Sequence, residues 1–138
     1  MEGFRRSMRI VEDSMEKYAK MLGIGYLNFF ILEVLEEAPE NCTQKLICER
    51  THLPKQSVYL FVKSLWEQGY VELRELPTDR RNKEVILTES GQQYVEAILG
   101  KMKHAEQVAW SILTTKQQEI VVEATQAFAE AFQEALES

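Results

Sequence analysis

Amide, phenol and ammonium side chains share one face of a helix predicted over residues 55–65. At helical spacing this face carries Gln56, Tyr59, Leu60 and Lys63, with Lys55 at its edge. The opposite face carries an apolar stripe of Val58, Phe61, Val62 and Leu65. Glutamine can pair with adenine, lysine can reach guanine or phosphate, and tyrosine can reach phosphate. An α-helix fits the major groove, so this face could contact bases, although a solvated face without any partner remains the alternative.

A second charged group follows in the segment Pro77–Asn82, which includes Asp79, Arg80 and Arg81. Arginines on a protruding loop could enter a minor groove, where narrow geometry concentrates negative potential. Asp79 could steady an arginine through a charge-assisted hydrogen bond. An ordinary solvated loop is the alternative, but the helix and the loop together are more specific than either alone.

Catalytic and metal-binding patterns are absent from the sequence. It shows no nucleophile–base set, no paired carboxylates and no glycine-rich phosphate loop. Cys42 and Cys48 form no CxxC pair, and His52 and His104 are far apart. We therefore expect a protein that is not an enzyme, with no catalytic residue, no metal and no cofactor.

The two cysteines are expected to pack in the core. Free cysteine behaves as a small apolar residue and is commonly buried, which favours packing for Cys48. Cys42 precedes a helix, whose N-terminus could lower the pKa of its thiol. A cysteine-based redox switch therefore stays open as an alternative.

The chain has 138 residues, enough for one domain, and its net charge is −6. Eight basic and five acidic residues nevertheless fall within residues 43–83, so this segment is locally positive. Such a segment can meet phosphates because screening limits the reach of distant charges. With no signal sequence and no membrane-spanning run, we expect a cytoplasmic location and no membrane partner.

The elements that would position these side chains predict a mainly α fold with a small β-hairpin, which forms a wing. Periodicity and capping residues predict helices over residues 4–22, 26–38, 44–51, 54–68 and 88–110, and a last helix that begins with a Thr115/Gln118 capping box. Between the fourth and fifth helices the period changes to 2, which predicts strands over 70–74 and 83–87 joined by a long loop. The second helix is expected to bury Leu27, Phe30, Ile31, Val34 and Leu35.

The order of these elements and several local motifs resemble the MarR family over essentially the whole chain. The motifs are Lys55-Gln56-Ser57-Val58, Gly69-Tyr70-Val71, Asp79-Arg80-Arg81 and Leu87-Thr88-Glu89-Ser90-Gly91. The resemblance implies one winged helix-turn-helix domain over residues 1–138, with the DNA-reading part at about 26–88. The α-helical dimerisation region would comprise about 4–22 and 89–137.

The resemblance also implies a function: a homodimeric regulator of transcription, expected to be a repressor, that binds a pseudo-palindromic operator in double-stranded DNA. A small-molecule effector would release it. The implied recognition-helix contacts are Lys55, Gln56, Ser57, Tyr59 and Lys63, and the implied wing contacts are Asp79, Arg80 and Arg81, with Arg81 in the minor groove. Leu60 departs from the family, because many relatives have arginine there. The alternative is a winged helix that contacts proteins and binds no DNA.

Overall fold

Six helices and one β-hairpin make up the chain, and the computed structural model describes all residues from 1 to 138. In chain order the elements are α1 (Glu2–Leu22), α2 (Asn28–Glu37), α3 (Gln44–Thr51), α4 (Lys55–Glu67), β1 (Val71–Leu76), β2 (Asp79–Leu87), α5 (Glu89–Ser111) and α6 (Thr115–Glu137). This confirms the predicted fold class. None of the helices combines the length and the apolar character needed to cross a bilayer.

The chain divides into two compact units, Met1–Leu99 and Gly100–Ser138. The first contains α1 to β2 and the start of α5. The second contains the rest of α5 and α6. The hydrophobic core lies in the first unit, where residues of α2, α3, α4, the hairpin and α5 are buried together.

The helix-turn-helix consists of α3, a short turn and α4. Thr43 caps α3 as predicted, because its hydroxyl oxygen accepts the backbone N–H of Leu46 at 3.1 Å. His52 ends α3 in the left-handed region at φ 57°. Pro54, expected within the first turn of α4, occupies the cap position instead, and α4 ends at Glu67, one residue earlier than predicted.

The buried face of α2 differs from the prediction. Leu27 and Phe30 were expected in the core but are 44% and 38% exposed, whereas Phe29 and Leu32 are fully buried. The sequence Asn28–Glu37 is apolar on most sides, so a period of 3.6 alone does not select the face that packs inward.

The hairpin is longer and its connection shorter than predicted. Only Pro77 and Thr78 join the strands, and the pairing passes from Glu75–Lys83 directly to Leu76–Asp79. Residues 80–82 therefore form a bulge in β2, which we call the wing bulge. At its other end β2 is attached to the segment before α3, because the Val85 N–H donates to the Cys42 carbonyl at 2.7 Å.

The start of α5 is tied to the end of α4. The Thr88 hydroxyl donates to the Gly69 carbonyl at 2.7 Å and accepts the Gly91 N–H at 3.0 Å, which caps α5 as predicted. A Cβ atom on Gly91 would overlap the Tyr70 carbonyl oxygen. Glycine is therefore required at position 91 by a close approach of two backbone segments.

The capping box of α6 is shifted by one residue from the predicted pair. Thr114 is the cap, its hydroxyl accepts the Gln117 N–H at 3.2 Å, and the Gln117 side chain accepts the Thr114 N–H at 2.9 Å. Two adjacent threonines and two adjacent glutamines make both pairings compatible with the sequence. No residue of α6 is buried, although the helix carries Ile120, Val121, Val122, Phe128, Phe132 and Leu136.

Candidate nucleic-acid interface

Helix α4 separates its two faces as the sequence predicted. Its buried residues are Val58, Phe61, Val62 and Leu65. Its exposed residues include all five predicted contacts, namely Lys55, Gln56, Ser57, Tyr59 and Lys63. Gln56, Leu60 and Lys63 follow one another at i, i+4 and i+7, so they form one row along the outward face. The helix therefore presents a polar edge that is anchored by an apolar stripe.

A groove of about 670 Å³ lies between α3, α4 and the wing. We call it the basic groove, and its lining residues are Gln44, Lys45, Cys48, Lys55, Tyr59, Leu73, Arg81, Asn82 and Lys83. It thus brings together Lys55 and Tyr59 from the predicted helix contacts with Arg81 from the predicted wing contacts. Gln56, Ser57, Lys63, Asp79 and Arg80 lie outside its lining.

The charge of the basic groove is uniformly positive. Lys45, Lys55, Arg81 and Lys83 line it, and no carboxylate does. The ion pairs of this part of the chain lie elsewhere: Arg50 pairs with Glu37 at 3.0 Å and Arg74 with Glu72 at 3.2 Å. A concave surface lined by four cations and by no carboxylate favours binding of a polyanion.

Asp79 shapes the wing bulge through the backbone. Its carboxylate accepts the side-chain amide of Asn82 at 2.8 Å and the backbone N–H of Arg81 at 3.0 Å. These two bonds hold the pKa of Asp79 below its ordinary value, the Asn82 bond more strongly. Asp79 therefore holds Arg81 by a hydrogen bond to its backbone N–H, and not by the bond to a guanidinium group that the sequence suggested.

The other side of the wing has the opposite charge. A cleft of about 430 Å³ between α2, β2 and α5 is lined by Glu36, Glu84 and Glu96 and by no cation. Its remaining lining is largely apolar and includes Leu35, Cys42, Val85, Leu87 and Val95. This contrast identifies the α3–α4 side of the wing as the side suited to a polyanion. The net charge of −6 belongs to the whole chain and does not reflect the positive charge of this side.

A shallow groove on the flank of α4 away from the wing is apolar. Leu27, Leu53, Pro54, Leu60 and Phe61 line it together with Asn28, Ser57 and Ser64, and no charged residue does. We call this surface the apolar flank. Leu60 is 55% exposed and belongs both to the apolar flank and to the outward row of α4.

Sequence reasoning missed Gln44, Lys45 and Lys83 as candidate contacts. The two lysines belong to the local excess of basic residues in 43–83, which was the available signal. Their placement beside Arg81 requires the packing of the wing against α3, which periodicity does not provide. Lys45 also lowers the pKa of Asp79 slightly through its charge, which agrees with its position near the wing bulge.

Cys42 packs in the core as expected, whereas Cys48 does not. Cys42 is 3% exposed, and burial raises the pKa of its thiol, with Glu84 also raising it and Arg50 opposing. The lowering expected from a helix N-terminus is thus overcome by desolvation. Cys48, expected in the core, is only half-buried and lines the basic groove.

Comparisons with known proteins agree on one family. Residues 22–82 match the model of the MarR family. NMB1585 of Neisseria meningitidis, a MarR family regulator, is 24% identical and superimposes with a TM-score of 0.77 over 99% of this chain and 95% of its own. The sequence match covers residues 22–82, and the likeness in fold extends over nearly the whole chain. The matched proteins are regulators of transcription, which agrees with the expectation that the chain is not an enzyme.

Two further proteins are similar to this chain. The HTH-type transcriptional regulator PrsX of Escherichia coli is 25% identical over 122 residues, which cover 83% of this chain and 70% of PrsX. MepR of Staphylococcus aureus, solved as a MepR–DNA complex, is 19% identical with a TM-score of 0.79 over 93% of this chain and 97% of MepR. At this identity the likeness to MepR supports the fold alone.

Proposed function

We propose that this chain is a MarR-family regulator of transcription, which acts in the cytoplasm as a homodimer and binds a pseudo-palindromic operator. Each protomer would place α4 in a major groove and the wing on the adjacent minor groove. The observation that carries this proposal is the basic groove, which joins the recognition helix to the wing with four cations and no carboxylate. An uninterrupted positive surface between two DNA-reading elements suits the phosphate strand that separates the two grooves of DNA.

Base contacts are assigned to the outward row of α4. Gln56 lies near the start of the helix, and its amide can pair with adenine in the major groove. Lys63 lies two turns further along the same face and can reach guanine or a phosphate. Ser57 and Tyr59 flank this row on opposite sides of the helix. We propose that Ser57 contacts DNA through its hydroxyl group and that Tyr59 contacts a phosphate.

Phosphate contacts are assigned to the basic groove and its rim. Lys45 and Lys83 join the predicted Lys55 as groups that neutralise phosphates. Arg81 emerges from the wing bulge and is assigned to the minor groove, where arginine is favoured by the negative potential. Arg80 precedes it and is assigned to the flanking phosphate, while Asp79 is the residue that orders the bulge.

Dimerisation is supported by exposed apolar residues outside the DNA-reading part. The side chains of Phe128 and Phe132 on α6 stack at 5.9 Å and are 40% and 55% exposed. On α1, Met8 and Val11 are 48% and 53% exposed. Apolar area of this extent is typical of an interface. We assign to the dimer interface Met8, Val11, Ile112, Leu113, Ile120, Phe128 and Phe132.

Repression and release by a small molecule complete the proposal. An operator within a promoter would be blocked by a bound dimer, and an effector would change the spacing of the two recognition helices. The acidic cleft beside α2, β2 and α5 is the candidate effector site within the first unit, since it combines an apolar floor with carboxylates.

Selection from random duplexes tests the proposed function. Immobilised protein is mixed with a random 30-base-pair library, and bound DNA is sequenced after several rounds. We expect a two-fold symmetric motif with half-site centres about one helical turn apart. The affinity for this motif should fall as salt increases, with a slope set by the number of phosphates contacted.

One observation favours a second candidate function, a winged helix used for protein contact. The apolar flank places Leu27 and Leu60, 44% and 55% exposed, beside the recognition helix. A protein partner on this surface would bind with little salt dependence. Failure to select any duplex, together with absence of salt-dependent binding to random DNA, would support this candidate over the operator-binding one.

A further inference from the structure

Leu60 is a leucine within a row of polar side chains. It lies one turn after Gln56 and one turn before Lys63 on the outward face of α4, and 55% of its surface is exposed. A single exposed leucine is ordinary on a protein surface. This one is different because it stands on the face assigned to base contacts and continues into an apolar groove.

The surroundings of Leu60 do not favour a phosphate. The apolar flank contains no charged residue, whereas the four cations of the basic groove lie on the other side of α4. Phosphates of the bound strand are therefore attracted to the wing side of the helix. An apolar group of the DNA suits the Leu60 side better.

The 5-methyl group of thymine is the apolar group that bases present in the major groove. Resting on the proposed function, we propose that Leu60 contacts a thymine methyl group and specifies thymine at one position of each half-site. Leu53 and Pro54, which line the same flank, shield this contact from water. The side chain of Gln56 then reads a neighbouring base through hydrogen bonds.

The helix geometry places the thymine relative to the base contacted by Gln56. Four residues of an α-helix advance about 6 Å, at 1.5 Å per residue. Successive base pairs are separated by about 3.4 Å along the duplex. The thymine therefore lies within about two base pairs of the position specified by Gln56.

The expected size of the effect follows from the burial of one carbon. Covering a methyl-sized group changes a binding constant about fourfold. A dimer makes the contact twice, so loss of both methyl groups should weaken operator binding about fifteenfold. An effect of this size is readily measured by fluorescence anisotropy.

Deoxyuridine tests the contact without changing base pairing, because it differs from thymidine only by the methyl group. The selected operator is synthesised with deoxyuridine at the Leu60-specified thymine of both half-sites. We expect the wild-type protein to lose about fifteenfold in affinity, and Leu60→Ala to bind both operators equally. Trp66→Ala is the matched control, because Trp66 is 53% exposed on α4 but lies outside the apolar flank. This variant should retain the wild-type response to deoxyuridine.

The outcomes separate this inference from the proposed function. If the wild-type protein selects an operator but binds the deoxyuridine form equally well, the methyl contact is wrong and operator binding stands. If Leu60→Ala keeps the full response, another residue contacts the methyl group and the assignment to Leu60 is overturned. If no duplex is selected, the proposed function itself fails, and Leu60 belongs to a protein-binding surface.

Discussion

The Asp79 carboxylate accepts the backbone N–H of Arg81 at 3.0 Å, within the wing bulge. The same carboxylate accepts the side-chain amide of Asn82 at 2.8 Å, so it bonds both Arg81 and the residue that follows it. Arg81 itself lines the basic groove. Asp79 therefore positions Arg81 without neutralising its positive charge, whereas a direct ion pair would neutralise that charge.

This relationship predicts a graded response at position 79. Asp79→Ala removes both acceptors and should weaken DNA binding several-fold, whereas Asp79→Asn keeps one acceptor and should weaken it less. Both bonds favour the charged carboxylate and lower the pKa of Asp79. The stability that these bonds give to the wing bulge is therefore fully present above the ordinary aspartate pKa. It is lost as pH falls through the lowered pKa of Asp79. The chemical shift of the Arg81 amide, followed by NMR during acid titration, should report this loss. An Arg81 amide that does not respond to Asp79→Ala would contradict it.

The two glycines of α5 predict opposite effects of the same substitution. Gly91→Ala places a Cβ atom against the Tyr70 carbonyl and should destabilise the fold by about 1–3 kcal/mol, because backbone must move. Gly100→Ala meets no atom within 4 Å and should stabilise the helix by about 0.5–1 kcal/mol. Urea denaturation at matched protein concentration measures both. Equal effects of the two substitutions would show that the close approach at Gly91 is not maintained in solution.

The two thiols are predicted to differ in reactivity. Cys48 is half-buried in the basic groove, whereas Cys42 is buried and its pKa is raised. Native-state alkylation followed by mass spectrometry should modify Cys48 first, and Cys42 only on unfolding. Operator DNA should slow the modification of Cys48 because it covers the groove.

Substitution of each cysteine distinguishes packing from redox sensing. If both cysteines serve packing, Cys42→Ser and Cys48→Ala should retain operator affinity in reductant and in mild peroxide. A wild-type protein that releases DNA in peroxide, together with a resistant Cys48→Ala variant, would instead support a redox switch.

Assembly is predicted to depend on the apolar face of α6. Phe128→Asp places a charge beside Phe132 and should shift the dimer to a species of about 16 kDa, with the weaker DNA binding expected when two half-sites are no longer linked. Gln126→Asp is the matched control, since it puts the same charge on the polar face of α6. Sedimentation equilibrium at micromolar concentration measures both. A wild-type monomer at that concentration would contradict the proposal.

Much of this architecture could be predicted because local rules act on short segments. Thr43 and the stripe of Val58, Phe61, Val62 and Leu65 define α3 and α4 from capping and period alone. The wing bulge could not be predicted, because its register depends on hydrogen bonds made by Asp79. The positions of Lys45 and Lys83 also depend on tertiary packing. The same limit explains why Cys48 was assigned to the core.

The assignments of Arg81 and Gln56 predict different losses on different DNA. Arg81 is assigned to the minor groove, where A·T and T·A are poorly distinguished, so Arg81→Ala should weaken binding to cognate and scrambled duplexes alike. It should also reduce the slope of log affinity against log salt by about one for each contact removed. Arg74→Ala is the matched control, because Arg74 pairs with Glu72 and lies outside the basic groove. This control should change neither the affinity nor the slope appreciably.

Gln56→Ala should behave in the opposite way, because Gln56 is assigned to a base edge in the major groove. It should cost about 1–3 kcal/mol on the cognate operator and little on scrambled DNA, since the lost hydrogen bonds exist only with the correct base. Both variants are measured against both duplexes across a salt series. If Arg81→Ala leaves both affinities intact, the wing does not contact DNA and the basic groove must serve another polyanion. If Gln56→Ala weakens both duplexes equally, this residue contacts the sugar–phosphate backbone, and sequence must be specified elsewhere on α4.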